Sequence, residues 1–183
     1  MIITALLALT ATQDFATSDI HGWTVSASED GQGCFVSRTF DRPGGTTLLL
    51  GLDTDGANHL SVLNANWSIK PKERLKLDFR LSNGGYMKHF AVGMASEGKQ
   101  GFVTTFDAKF PAYFASSRAL HIARGDVPVE RLTLDGSGAA IAELRKCVAA
   151  QHGRPKPATH DGGDTAGIPR DPFSSKATAK PKR

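Results

Sequence analysis

The sequence lacks the local spacings from which most metal-binding and catalytic assignments are made. Its six histidines (His21, His59, His89, His121, His152 and His160) stand in separate stretches, and no two lie two or four residues apart. A metal site would need convergence in the fold, because no strand or helix presents two imidazoles on one face. No catalytic residue, cofactor-binding residue or metal ligand is assigned. Only two cysteines occur, Cys34 and Cys147, far from the spacing of a zinc knuckle or a C-x-x-C redox pair. No apolar run is long enough to span a bilayer as a helix. Outside the C-terminal stretch there is no charge excess either. Of 22 Lys and Arg and 18 Asp and Glu, seven basic and three acidic residues lie beyond Gln151, leaving the body balanced. A folded nucleic-acid-binding face thereby loses its main support.

What is present divides into three parts. Residues 1–20 open with MIITALLALTA, Met1 to Ala11, a run of the size found in the hydrophobic region of a secretory signal. No Lys or Arg precedes it, and a buried N-terminal strand is the other reading. Residues 21–150 form a single β-rich domain. Residues 151–183, rich in Pro, Gly, Lys, Ala and Thr with Ile168 and Phe173 as the large apolar residues, are expected to form a disordered basic tail, because they bury too little area to offset the entropy of ordering. Weak contact with an anionic surface is the functional role such a tail offers. An exported protein, periplasmic or secreted, with one disulfide between Cys34 and Cys147 is the economical reading. Closing a loop of about 100 residues would stabilise the fold by about 4–5 kcal/mol in the chain-entropy model. Two buried free thiols in a cytosolic protein are the alternative.

Within the domain, strand-forming stretches alternate with turn signals. Trp23 to Ser28 and Cys34 to Phe40 flank Glu29-Asp30-Gly31-Gln32-Gly33, predicting a hairpin. Thr46 to Leu52 and Leu60 to Ala65 follow. Arg74 to Leu81 places Leu75, Leu77, Phe79 and Leu81 on one face and Arg74, Lys76, Asp78 and Arg80 on the other. After the Asn83-Gly84 turn signal, Tyr86 to Ala95 sets Phe90, Val92 and Met94 opposite His89, Ala91 and Gly93. Phe102 to Phe106, a short helix through Phe114 capped by Asp107, Ala119 to Arg124 and Glu130 to Leu134 complete the pattern. About nine short strands with turns between them predict an antiparallel β-sandwich or barrel. A final helix, with Ser137 as its N-cap and Ala140, Ile141, Leu144, Cys147 and Val148 as its apolar stripe, is expected to pack on the sheet.

Several strings imitate active-site motifs. Leu52-Asp53-Thr54-Asp55-Gly56-Ala57 is one residue longer than an aspartic-protease turn, and it lacks the third acidic ligand and distal glutamate of a calcium loop. Gly136-Ser137-Gly138 opens like a dinucleotide fingerprint, but Ile141 occupies the third glycine position. Asp135, standing where a nucleophile elbow needs its first glycine, excludes that motif. A row of Arg74, Lys76 and Arg80 offers anion binding or protection from edge pairing. Trp23, Trp67, Tyr86 and Tyr113 are candidates either for a ligand groove or for closing a small core.

Trp23 and Cys34, the run of short strands, Gly101-Phe102-Val103, the phenylalanine-rich helix, ALHIARGDVPVERLTL from Ala119 to Leu134 and the closing GSGAAIAEL together resemble the invasion-associated locus B family of exported bacterial proteins, over roughly Trp23 to Val148. The resemblance implies a β-sandwich and an envelope location. It supplies no catalytic residues, and Phe102 stands where the family's central cysteine pair would have a second member. The expected function is a non-catalytic exported binding or envelope-associated module with an unknown envelope or protein partner. The alternatives are a hydrolase with a site assembled from distant residues such as Asp53, Asp55 and His59, and a small-ligand or lipid carrier.

Overall fold

The computed structural model describes residues 16–152. The leader-like run Met1 to Ala11 and the basic tail beyond His152 lie outside the described residues. Ten strands and two helices follow one another as β1 (Ser18–Ile20), β2 (Trp23–Ala27), β3 (Gly33–Phe40), β4 (Thr46–Asp53), β5 (Asn58–Asn64), β6 (Arg74–Leu81), β7 (Gly84–Ser96), β8 (Lys99–Thr105), α1 (Phe110–Ser116), β9 (Ala119–Arg124), β10 (Val127–Thr133) and α2 (Ser137–Gln151). The protein is mainly β, antiparallel, with the C-terminal helix on the sheet, as the pattern predicts. The strands number ten rather than nine because β1, too short to carry a periodicity, pairs with β2 ahead of residue 21.

All ten strands belong to one open sheet in the order β1-β2-β3-β4-β5-β8-β7-β6-β9-β10. Alternation drives the inward residues of both halves into one core, where Val25, Val36, Leu50 and Val62 meet Phe79, Leu120, Ile122 and Leu132. Strand β10, the far edge, is fastened back to the start of β4 by side chains. Glu130 accepts hydrogen bonds from Arg42 at 3.0 Å and from the Thr46 hydroxyl at 2.8 Å. The β6–β7 ladder contains a bulge between Leu77 and Phe79. Asp78, expected on the wet face, is buried there and accepts the Lys88 amide at 2.6 Å. A carboxylate in that position satisfies the backbone donor that the bulge leaves without a ladder partner.

Helix α2 packs its buried Ala140, Ile141, Leu144 and Cys147 against the first half of the sheet, and Cys147 is bonded to Cys34 of β3. Ser137 does not cap it. The N-cap is Gly136, at φ 81 and without a side-chain cap, and Ser137 is the first helical residue. Its hydroxyl donates instead to the Phe114 carbonyl of α1 at 3.1 Å. The turn needs a left-handed residue with no Cβ, since one at position 136 would lie 2.7 Å from the His21 Cβ.

Candidate functional site

The connection from β5 to β6 and the β9–β10 hairpin stand up as two walls on either side of a cleft of about 340 Å³. Its floor is apolar: Leu75, Leu77 and Phe102 point up from β6 and β8 and are at most 4% exposed. One wall is Trp67 and Ile69; the other is Val127, Pro128 and Val129, with Arg124 at the rim. The Trp67 ring lies parallel to Phe102, centroids 6.1 Å apart.

The first wall has no regular secondary structure, yet it is fixed at several points. Gly93 of β7 donates to the Glu73 carbonyl at 2.7 Å and accepts from the Lys72 amide at 2.8 Å. The Glu73 carboxylate accepts the Lys70 amide at 3.0 Å. With its amide oriented to satisfy both partners, Gln100 donates to the carbonyls of Trp67 and Ile69 at 2.9 and 3.0 Å. The loop sits so close over β7 that a Cβ on Gly93 would overlap the Lys70 carbonyl. The opposite wall turns at Gly125, φ 60, in the two-residue connection between paired Arg124 and Val127. Both walls are therefore held against rigid strands, and the groove between them is already shaped for an apolar body.

The other candidate residues are distributed as follows. Asp53 and His59 do come together, carboxylate to imidazole at 2.8 Å. Asp55 is committed to its own turn, where it accepts the Ala57 amide at 2.9 Å. The pair is partly exposed. Among the described residues no three His, Cys, Asp or Glu side chains gather as a metal site. His121 is exposed, while Leu120 and Ile122 on either side of it are buried. Of the four aromatics considered for a groove, only Trp67 lines the cleft. Trp23 is fully buried and donates to the Asp135 carbonyl at 2.8 Å. Tyr113 packs against Gly84.

Tyr86 belongs to a separate cluster with Phe106, Phe110 and His89, in which the His89 and Phe106 rings stack 4.5 Å apart. Its hydroxyl donates to Asp107 at 2.9 Å. Burial, and next the Asp107 carboxylate, push the Tyr86 phenol above its usual range. In turn the Tyr86 hydroxyl, followed by the Lys109 amide, holds Asp107 below the usual carboxylate range. Asp107 thus acts as a local acceptor ahead of α1, while Lys109 occupies the N-cap position itself.

No family model matches the chain, and no curated protein sequence does. Among solved structures, the invasion associated protein B from Bartonella henselae superposes with a TM-score of 0.54 at 14% sequence identity, covering 72% of this chain and 97% of that one. The likeness is one of fold. It rests on the three-dimensional arrangement of the strands and carries no site residue from one protein to the other. Among the described residues no helix is long and apolar enough to cross a membrane. The Cys34–Cys147 disulfide is compatible with a protein working outside the cytoplasm.

The cleft residues were not singled out as a site by their sequence. Leu75 and Leu77 read as core, Phe102 as a strand residue, Val127 and Pro128 as the end of a turn, and Val129 as the start of the stretch that runs on into the final helix. The one signal pointing to the cleft was Trp67, a large aromatic in a stretch otherwise rich in polar residues and containing Pro71.

Proposed function

We propose that the protein is an exported, non-catalytic binding module of the bacterial envelope, distantly related to the invasion-associated locus B proteins, and that it holds a small apolar ligand in the cleft beneath Trp67. The cleft carries this reading: its volume of about 340 Å³ falls in the range of small-ligand sites. Its apolar floor favours a hydrocarbon or aromatic body, and Arg124 at the rim favours an anionic end. Placement in the periplasm or outside the cell is supported by the Cys34–Cys147 bond, since oxidising compartments are where such bonds persist. The hydrolase alternative has less in its favour, because Asp55 serves its own turn and the Asp53–His59 pair is partly exposed.

The test uses tryptophan fluorescence. Trp23 is fully buried and Trp67 lines the cleft, so an anionic apolar dye such as anilinonaphthalene sulfonate entering the cleft quenches Trp67. Saturable one-to-one binding that is abolished in Val129→Arg and weakened in Arg124→Glu is the expected result. Dye binding unaffected by both substitutions would overturn the cleft as the site. Fractionation of the native host addresses export separately: residence in the cytosol would overturn it.

A further inference from the structure

The outer face of β7 is exposed, and its composition is unusual. On β7, the apolar set Phe90, Val92 and Met94 points away from the core, because small Ala91 and Gly93 are needed inward where the β5–β6 connection packs close. Phe90 is 64% exposed, Val92 45%, and Met87, in the bulge on the same strand, 58%. Val92 pairs with Val103 of β8, which pairs with Ser61, and the cross-sheet row continues through Leu49 to Ser37. No charge interrupts the row. At its other end Val92 pairs with Arg74, and Phe90 pairs with Lys76, whose ammonium lies 5.3 Å from the ring centroid. Arg80 continues the basic margin along β6, and Lys88 stands exposed in the bulge. Of the acidic residues nearby, Asp78 is engaged by the Lys88 amide, while Glu97 and Asp126 stand exposed in the turns at the margins of the face.

We propose that this face, with Phe90 and Val92 as apolar anchors and Arg74, Lys76 and Lys88 as the cationic margin, docks onto a lipid bilayer bearing anionic headgroups. Side chains of this size immersed at the headgroup boundary, bordered by cations, make the combination that binds such a surface. A second copy whose basic margin met its own counterpart would be repelled, whereas anionic headgroups complement that margin. The seven Lys and Arg beyond Gln151 add positive charge to the same chain. This surface is distinct from the cleft, whose floor residues Leu75 and Leu77 point to the opposite side of β6, so the proposal stands independently of the cleft's ligand.

The experiment is vesicle co-sedimentation of the full chain, with neutral phosphatidylcholine vesicles and with vesicles containing phosphatidylglycerol. Binding to the anionic vesicles alone is expected. It falls about tenfold in Arg74→Glu/Lys76→Glu, from the loss and reversal of two surface charges, and by a similar factor in Phe90→Ser/Val92→Ser. All four positions are exposed, so unchanged circular dichroism should accompany both variants. Absence of binding to anionic vesicles would overturn the proposal. So would binding lost only when Lys176, Lys180 and Lys182 are changed to Gln, which would assign it to the tail. Self-association that the face variants abolish, without vesicle binding, would assign the face to a second copy instead.

Discussion

Thr46 donates its hydroxyl to Glu130 at 2.8 Å, joining the start of β4 to the edge strand β10, two strands that share no backbone ladder. Thr46 is fully buried and is also the acceptor for the Asn64 amide at 2.9 Å. The Glu130 carboxylate receives Arg42 and its neighbour's amide, that of Arg131, as well. One carboxylate thus satisfies donors from three segments. Glu130→Ala is expected to lower stability by about 2 kcal/mol, chiefly through the buried Thr46 hydroxyl left without its acceptor, because the exposed Arg42 ion pair contributes little by itself. Glu130→Gln should cost less. Urea denaturation of both variants with Thr46→Val as the second arm of a double-mutant cycle checks this: additive losses would mean the two side chains are not coupled.

The disulfide closes a sequence separation of 113 residues. Its removal in Cys34→Ala/Cys147→Ala is expected to cost about 4–5 kcal/mol, and a melting temperature lower by roughly 10 °C or more follows for a domain of this size. Calorimetry of oxidised protein and double variant side by side gives the number. A difference of less than about 1 kcal/mol would show that burial of α2, and not the covalent link, holds the helix in place.

Gly93→Ala tests whether the cleft depends on its tight underside. The new methyl meets the Lys70 carbonyl, so the strand or the connection from Asn66 to Lys72 must shift. A loss of about 1–3 kcal/mol is expected, as for other overpacked sites. Because the same loop carries Trp67, its fluorescence maximum should move to longer wavelength. An unchanged emission spectrum would mean that the wall keeps its place without the close approach at Gly93.

The Tyr86–Asp107 pair gives stability a signature at both ends of the pH range. Asp107 is depressed in the folded state, so its contribution is present above the ordinary carboxylate value of 3.8 and is lost as pH falls through the lower folded value. Tyr86 is raised, so its contribution is complete below the ordinary phenol value of 10.0 and is lost as pH rises beyond it. Tyr86→Phe should flatten the alkaline limb and also shrink the acid limb of a melting-temperature profile, because Asp107 is then depressed less. A variant profile superimposable on the parent would remove the pair from the account.

The sequence made visible what depends on neighbours along the chain. The alternation of Leu75 and Leu77 against Arg74 and Lys76 located β6 and its inner face, and a chain with only two cysteines left only one pairing to consider. Where tertiary contacts decide, local pattern was insufficient. The period of β6 runs through Asp78 without a break, and nothing in it marks the bulge, which depends on the Lys88 amide of another strand. On β7 both alternating sets are uncharged, so the choice of inner face fell to steric room: Gly93 fits beneath the Lys70 carbonyl and a larger side chain would not. Ser137 has the chemistry of a cap, but the left-handed turn before it suits Gly136, and the hydroxyl found Phe114 instead. Of the cleft only Trp67 was legible, because its walls come from the β5–β6 connection and from the β9–β10 hairpin, which only folding brings side by side.

The bond between Cys34 and Cys147 makes everything between them a covalent ring. A single protease cut anywhere within that ring leaves one molecule of undiminished mass plus a water, whose two pieces separate only after reduction. A cut before Cys34 or after Cys147 releases its fragment at once. Comparing digests with and without reductant therefore sorts every cleavage site into ring or ends, and shows directly which parts of the chain can be shed while the sheet and its helix stay joined.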